Sequence, residues 1–130
     1  MVATVFTTTG ARWDADKFID LATASGPSTA TDWFIGWGTG GSSTGGTATA
    51  GDLDLKAAAT EARVSATVTQ PAATTDRFVA TITAGTAKTV EESGLFKATA
   101  SGIMVARGSH VGVALATGDA IQYTWELSWS

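Results

Sequence analysis

The sequence predicts an all-β protein, a β-sandwich of jelly-roll or immunoglobulin-like type with one short N-terminal helix. Three observations lead there. At the C-terminus Ile121, Tyr123, Trp125, Leu127 and Trp129 alternate with Gln122, Thr124, Glu126 and Ser128, which sets five large apolar side chains on one face of a strand. Upstream, apolar residues come in short runs broken by Gly, Pro and Asp, the spacing of strands joined by tight turns. Only one stretch, Asp14 to Ala24, combines helical spacing with end signals.

Taken in order, Met1 to Thr9 reads as extended, a first strand or a flexible N-terminal arm, closed by three Thr and Gly10. Asp14 caps the expected helix, Asp16 suits its positive end, and Phe18, Ile19, Leu21 and Ala22 supply an apolar face. Trp13 stands before the cap, placed to pack on Phe18, and Gly26-Pro27 ends the helix. Asp32 to Gly38 is a rich strand signal. Thr39 to Gly51 holds only small residues, which predicts an exposed, flexible loop. The Ala-rich stretch Leu53 to Ala62 favours a helical turn by propensity alone. From Arg63 a period of two takes over. Val64, Ala66 and Val68 share one face, and Phe78, Ala80 and Ile82 share another after an expected turn at Gln70-Pro71. Val90 to Phe96, Ile103 to Arg107 and His110 to Leu115 are further short runs, the last two set around Gly108-Ser109, and Gly118-Asp119 is a turn. Between strands, Gly94 suits a bulge or a positive φ, with Leu95 and Phe96 on opposite faces.

At 130 residues the chain fits one domain, 1–130, able to bury a core without cross-links. It has no Cys, which excludes disulfides and thiolate metal sites. The net charge of −4 disfavours nucleic acid as a partner, and the apolar runs are too short to span a membrane. Charged residues make up 15%, below the roughly 25% of ordinary soluble domains, and a surface with few charges is easier to desolvate against a neighbour. The first ten residues do not form a secretory signal, so synthesis in the cytoplasm is expected.

The chemistry-bearing candidates are few. Gly36-Trp37-Gly38-Thr39-Gly40-Gly41 resembles a phosphate loop only loosely, because no Lys-Ser/Thr pair or helix start follows it. His110 is the single histidine, and Ser109 beside it would point to the opposite face of a strand, so a surface or interface role is expected. Asp52 and Asp54 share a face if extended, the beginning of a Ca²⁺ site or carboxylate pair, but solvation of a turn explains them better. Glu91-Glu92 reads as a solvated strand end. Trp33 and Trp37 face the same way in a strand, as core residues rather than a sugar-stacking platform or assembly anchor; Trp125 and Trp129 read as core. No catalytic, cofactor-binding or metal-ligating residue is assigned, and no enzymatic activity is expected.

Two segments in order carry a resemblance: Val90-Glu91-Glu92-Ser93-Gly94-Leu95-Phe96-Lys97-Ala98, then Gly102-Ile103-Met104-Val105-Ala106-Arg107. With the earlier Ile35-Gly36-Trp37-Gly38-Thr39-Gly40, the helix signal, Thr117-Gly118-Asp119 and the alternating ending, they resemble a group of small virion structural proteins of tailed bacteriophages. That group has a Glu-x-Gly-Leu-Phe turn before a Gly-x-Met-x-Ala-Arg strand; here Ser93 stands where a small apolar residue is usual. The resemblance spans about Asp14 to the C-terminus and brings no catalytic residues with it. It implies a capsid decoration (cement) protein on the virion, with the major capsid protein as partner, or alternatively a tail-tip, baseplate or fibre-associated protein. A carbohydrate-binding module is a more distant alternative. A homo-oligomer is expected, with a trimer favoured by the symmetry of a capsid lattice.

Overall fold

A computed structural model describes residues 3–6, 33–41 and 46–128, with 3–6 as backbone alone. The expected helix Asp14 to Ala24, the Trp13–Phe18 pairing and Trp129 lie outside the described residues. Among the described residues there are eight strands: β1 (Ala3–Phe6), β2 (Phe34–Gly38), β3 (Val64–Ser65), β4 (Thr67–Ala72), β5 (Thr75–Thr83), β6 (Lys88–Phe96), β7 (Met104–Leu115) and β8 (Ala120–Ser128). They form two antiparallel sheets, one in the order β1-β7-β6-β2-β3 and one in the order β4-β5-β8. Among the described residues there is no helix.

The core follows from the period-two faces. β5 runs beside β8 without a register shift, pairing Phe78 with Trp125, Ala80 with Tyr123 and Ile82 with Ile121. Phe78, Ala80, Ile82, Trp125 and Leu127 are buried, while Gln122, Thr124, Glu126 and Ser128 are exposed. The other sheet contributes Ile35, Trp37, Val90, Leu95, Val105 and Ala106 to the same apolar cluster. Trp33 meets Phe78 with ring centroids 4.7 Å apart, a tilted contact tying the two sets together.

Several expectations are corrected. The Val64–Val68 run is not one strand: the chain leaves one sheet at Ser65 and enters the other at Thr67, with buried Ala66 as the hinge, its N–H donating to the Trp33 carbonyl at 2.9 Å. The turn expected at Gln70-Pro71 lies at Ala73-Thr74. Pro71 sits inside β4, an outer strand whose register shifts between Thr69 and Ala72, a place where a missing N–H is tolerated. The runs on either side of Gly108-Ser109 are a single strand, β7. Leu53 to Ala62 is not helical; it lies along β2, where Thr39 N–H donates to Ala57 O (2.9 Å) and Ala59 N–H to Trp37 O (3.1 Å). Gly94 does not stand between strands but inside β6, paired with Gly36 and Arg107, and has no positive φ. That conformation falls at Ser101 and Gly102 in the β6–β7 turn and at Gly118, the turn expected before β8.

β6 and the first half of β7 are buried on both faces. One face carries Leu95 and Ala106 into the core. The other carries the cross-strand row Gly36–Gly94–Arg107 and its neighbour Gly38–Glu92–Ser109. Segment 52–63 lies over these rows. Phe96 is therefore covered by the chain's own Arg63, whose guanidinium carbon stands 3.5 Å from the ring centroid. The alternate glycines of β2 form the floor under this cover. At Gly38 a Cβ would overlap the Ala57 carbonyl oxygen and the Glu92 carboxylate, and at Gly40 it would stand 2.6 Å from Lys56 Cβ. The Gly-x-Gly-x-Gly spacing is thus a strand whose outer face must be flat, followed by a turn of the same character.

Candidate functional site

Arg107 sits at the centre of the covered face and is 0% exposed. Its Nε donates to Glu92 Oε2 at 2.7 Å and one terminal nitrogen donates to Asp52 Oδ2 at 2.8 Å. The other terminal nitrogen donates to the carbonyls of Gly40 and Gly46, both at 2.6 Å. Glu92, also 0% exposed, accepts backbone N–H groups from Gly40 (3.2 Å), Lys56 (3.0 Å) and Ala57 (2.8 Å). Glu91 accepts from Gly41 N–H at 3.2 Å, and the Ser109 hydroxyl accepts from Ala48 N–H at 3.2 Å. A buried charge is tolerated only when paired and hydrogen-bonded, and both conditions hold here.

This clasp corrects three expectations. Glu91 and Glu92 are not a solvated strand end. Asp52 does hydrogen-bond its turn, accepting from Thr49 N–H and Oγ1 (both 2.9 Å), but it is buried rather than solvated and is also bonded to Arg107, with Lys56 Nζ at 3.0 Å. Asp54 lies apart and exposed, accepting from Leu55 N–H, so the two carboxylates do not act as a pair. The loop expected at Thr39 to Gly51 has no helix or strand among its described residues, but Gly40, Gly41, Gly46 and Ala48 are buried. Its anchors are backbone amides and carbonyls rather than apolar side chains, which is why composition could not reveal them.

The other charged groups are also engaged. Glu61 accepts from Trp37 Nε1 (3.1 Å), Gly85 N–H (2.9 Å) and Lys88. Burial pushes the Glu61 carboxyl up, but Lys88, the Gly85 amide and the Trp37 indole outweigh it and hold the group at about 2. Burial likewise raises Asp52, and Thr49, Lys56 and Arg107 bring it down to about 2. Asp76 differs: it is 1% exposed, its Oδ1 has no hydrogen-bond partner, and burial raises its pKa. Trp33 and Trp37 are core residues, as is Trp125. No group of three or more metal-ligating side chains occurs among the described residues.

These shifts predict opposite pH effects. The stabilisation from Asp52 and Glu61 is present above the ordinary carboxylate range and lost as pH falls from about 4 towards about 2. Asp76 has a raised folded pKa, so the native state binds the extra proton and loses stability as pH rises through that pKa. Asp76→Asn is therefore expected to melt higher than the parent at neutral pH and to lose that advantage in acid. Melting curves from roughly pH 3 to pH 8 check this; an equal or lower melting temperature at neutral pH contradicts it.

A solvent-open groove of about 480 Å³ lies between β7 and β8, lined by Ser93, Gly108, His110, Val113 and Ile121 to Glu126. It exists because the inner face of the five-stranded sheet carries small Ser93 and Gly108 there, in register with each other. β7 also contributes a bulge: Glu92 pairs with Ser109 and Val90 with Val113, leaving His110 to Gly112 opposite Glu91 alone, two residues more than a regular ladder holds. In that bulge His110 Nδ1 donates to Val111 O (2.8 Å), so in the neutral ring Nε2 accepts from the Tyr123 hydroxyl at 3.0 Å. Burial, reinforced by the charge of Glu92, raises Tyr123 well above the usual phenol value and keeps it a donor. Val111 (71% exposed) stands on this bulge and Val113 (41%) directly after it. His110 was singled out by its rarity. The groove, the bulge and the clasp were not, because each depends on pairing register. No protein-family model, curated protein or solved structure matches the chain.

Proposed function

We propose that this chain is a non-enzymatic structural protein of a tailed-bacteriophage virion, a capsid decoration protein whose two sheets form a β-sandwich and which binds the major capsid protein as a small homo-oligomer. One observation carries the reading. The motifs that resemble the phage group lie far apart in sequence, yet their residues meet in one buried unit. Arg107 of the Met-x-Ala-Arg strand binds Glu92 of the Glu-x-Gly-Leu-Phe segment, which lies within β6, and Gly40 of the Gly-x-Gly-Thr-Gly segment binds both. Gly36 faces Gly94 across the strands. Spacings that converge on one fold determinant are a stronger basis for resemblance than isolated short matches.

The chemistry of the site supports the same reading. Asp52, Glu61, Glu91 and Glu92 hold backbone amides, indole or cations in place, while the open groove presents a strand, a His–Tyr pair and the exposed Val113, a surface suited to association. The test is the number of copies per particle in purified virions of the encoding phage, measured on a stained gel with the major capsid protein as standard. Hundreds of copies are expected. A handful located at the tail replaces decoration by the tail-component reading, and absence from virions overturns both.

A further inference from the structure

We propose that β8 is a docking edge for a second copy of this chain, the two β8 strands pairing antiparallel about a two-fold axis at Thr124. The two outer strands of the three-stranded sheet are unlike. β4 carries Pro71 and a register shift, devices that blunt an edge. β8 has nine residues, pairs with β5 without a shift, contains no Pro or Lys, and has no strand on its other side among the described residues. A long regular edge of this kind is a template for another strand.

The occupant follows from the residues of β8. Antiparallel pairing centred on Thr124 sets Thr124 against its own copy, Gln122 against Glu126, Tyr123 against Trp125 and Ile121 against Leu127. Glu126 is the one charge of β8, and this register gives it an amide donor; centring on Glu126 would oppose two carboxylates. Apolar positions meet apolar positions on one face and polar meet polar on the other. The groove that opens onto β8 also holds the partly exposed Val113, so an added strand covers apolar surface. Joining two copies converts two three-stranded sheets into one of six strands and closes at the dimer, since each chain offers a single β8. The contact differs from the trimer favoured by lattice symmetry and stands independently of the virion reading.

The test is light scattering after size-exclusion chromatography of the full chain over a concentration series. The parent protein is expected to be a dimer. Thr124→Lys and Thr124→Glu, each placing like charges on the axis at an exposed position, are each expected to weaken association by tenfold or more, on the order expected of opposed like charges. Mixing the two variants restores the dimer. Gln122→Lys, which faces Glu126 of the second copy, is expected to tighten it, an outcome that misfolding cannot imitate. A monomeric parent, a trimer indifferent to Thr124→Lys, or failure of the mixed variants to associate while each retains the parent's near-ultraviolet spectrum overturns the proposal.

Discussion

Replacing Arg107 by alanine is expected to remove about 3–5 kcal/mol of folding free energy, a large share of the roughly 5–15 kcal/mol typical of a domain. The side chain is fully buried and supplies the counter-charge for Glu92 and Asp52 while holding two loop carbonyls. Without it two carboxylates stay buried beside hydrogen-bond donors but without their guanidinium, and Gly40 and Gly46 lose their acceptor bonds. Urea unfolding followed by tryptophan fluorescence measures the loss, since Trp33, Trp37 and Trp125 are buried reporters. Glu92→Gln provides a milder variant that folds if Arg107→Ala does not, and it keeps the shape while removing one charge. In both, a nonspecific protease is expected to cut between Thr39 and Gly51 faster than in the parent protein. An unchanged urea midpoint and cleavage rate would show that the clasp does not hold this loop.

The second large effect is expected at Gly38. A Cβ there would overlap the backbone oxygen of Ala57 and the carboxylate of Glu92, neither of which is the free end of a mobile side chain. Gly38→Ala is expected to cost about 1–3 kcal/mol or more, the range for overpacking, by prising segment 52–63 from β2 and weakening the Thr39–Ala57 and Ala59–Trp37 hydrogen bonds. Gly51→Ala is the matched control, with nothing near its added carbon. Hydrogen exchange at the Thr39 and Ala59 amides separates local lifting of the cover from global loss of stability. Equal stability of the two variants would mean that the cover adapts and the flat floor is not required.

By itself the sequence determined the β class and the elements with one wet and one dry face. β5 and β8 expose one side of their sheet to water, so burial alternates with the residues and the period of two is visible from Phe78 to Ile82 and from Ile121 to Leu127. The Gly118-Asp119 turn and the burial of Trp33, Trp37 and Trp125 were legible for the same local reasons. Where both faces are covered the period disappears. β6 reads as a run of buried residues with two glutamates in it, and composition makes those look solvated.

Only the tertiary structure decided the fate of the charges. Glu92 and Asp52 lie 15 and 55 residues along the chain from Arg107, and each of the three would be exposed on its own segment. Strand register sets Arg107 beside Gly94 and Glu92 beside Gly38, and the loop amides then find the carboxylates. The glycine-rich segment shows the same dependence. Its composition predicts a chain without apolar anchors, which is correct, but the anchors here are polar and reside on β6 and β7. Backbone hydrogen bonds to buried charge leave no periodic mark in a sequence, because they depend on which strands lie side by side and not on the residue that donates the N–H.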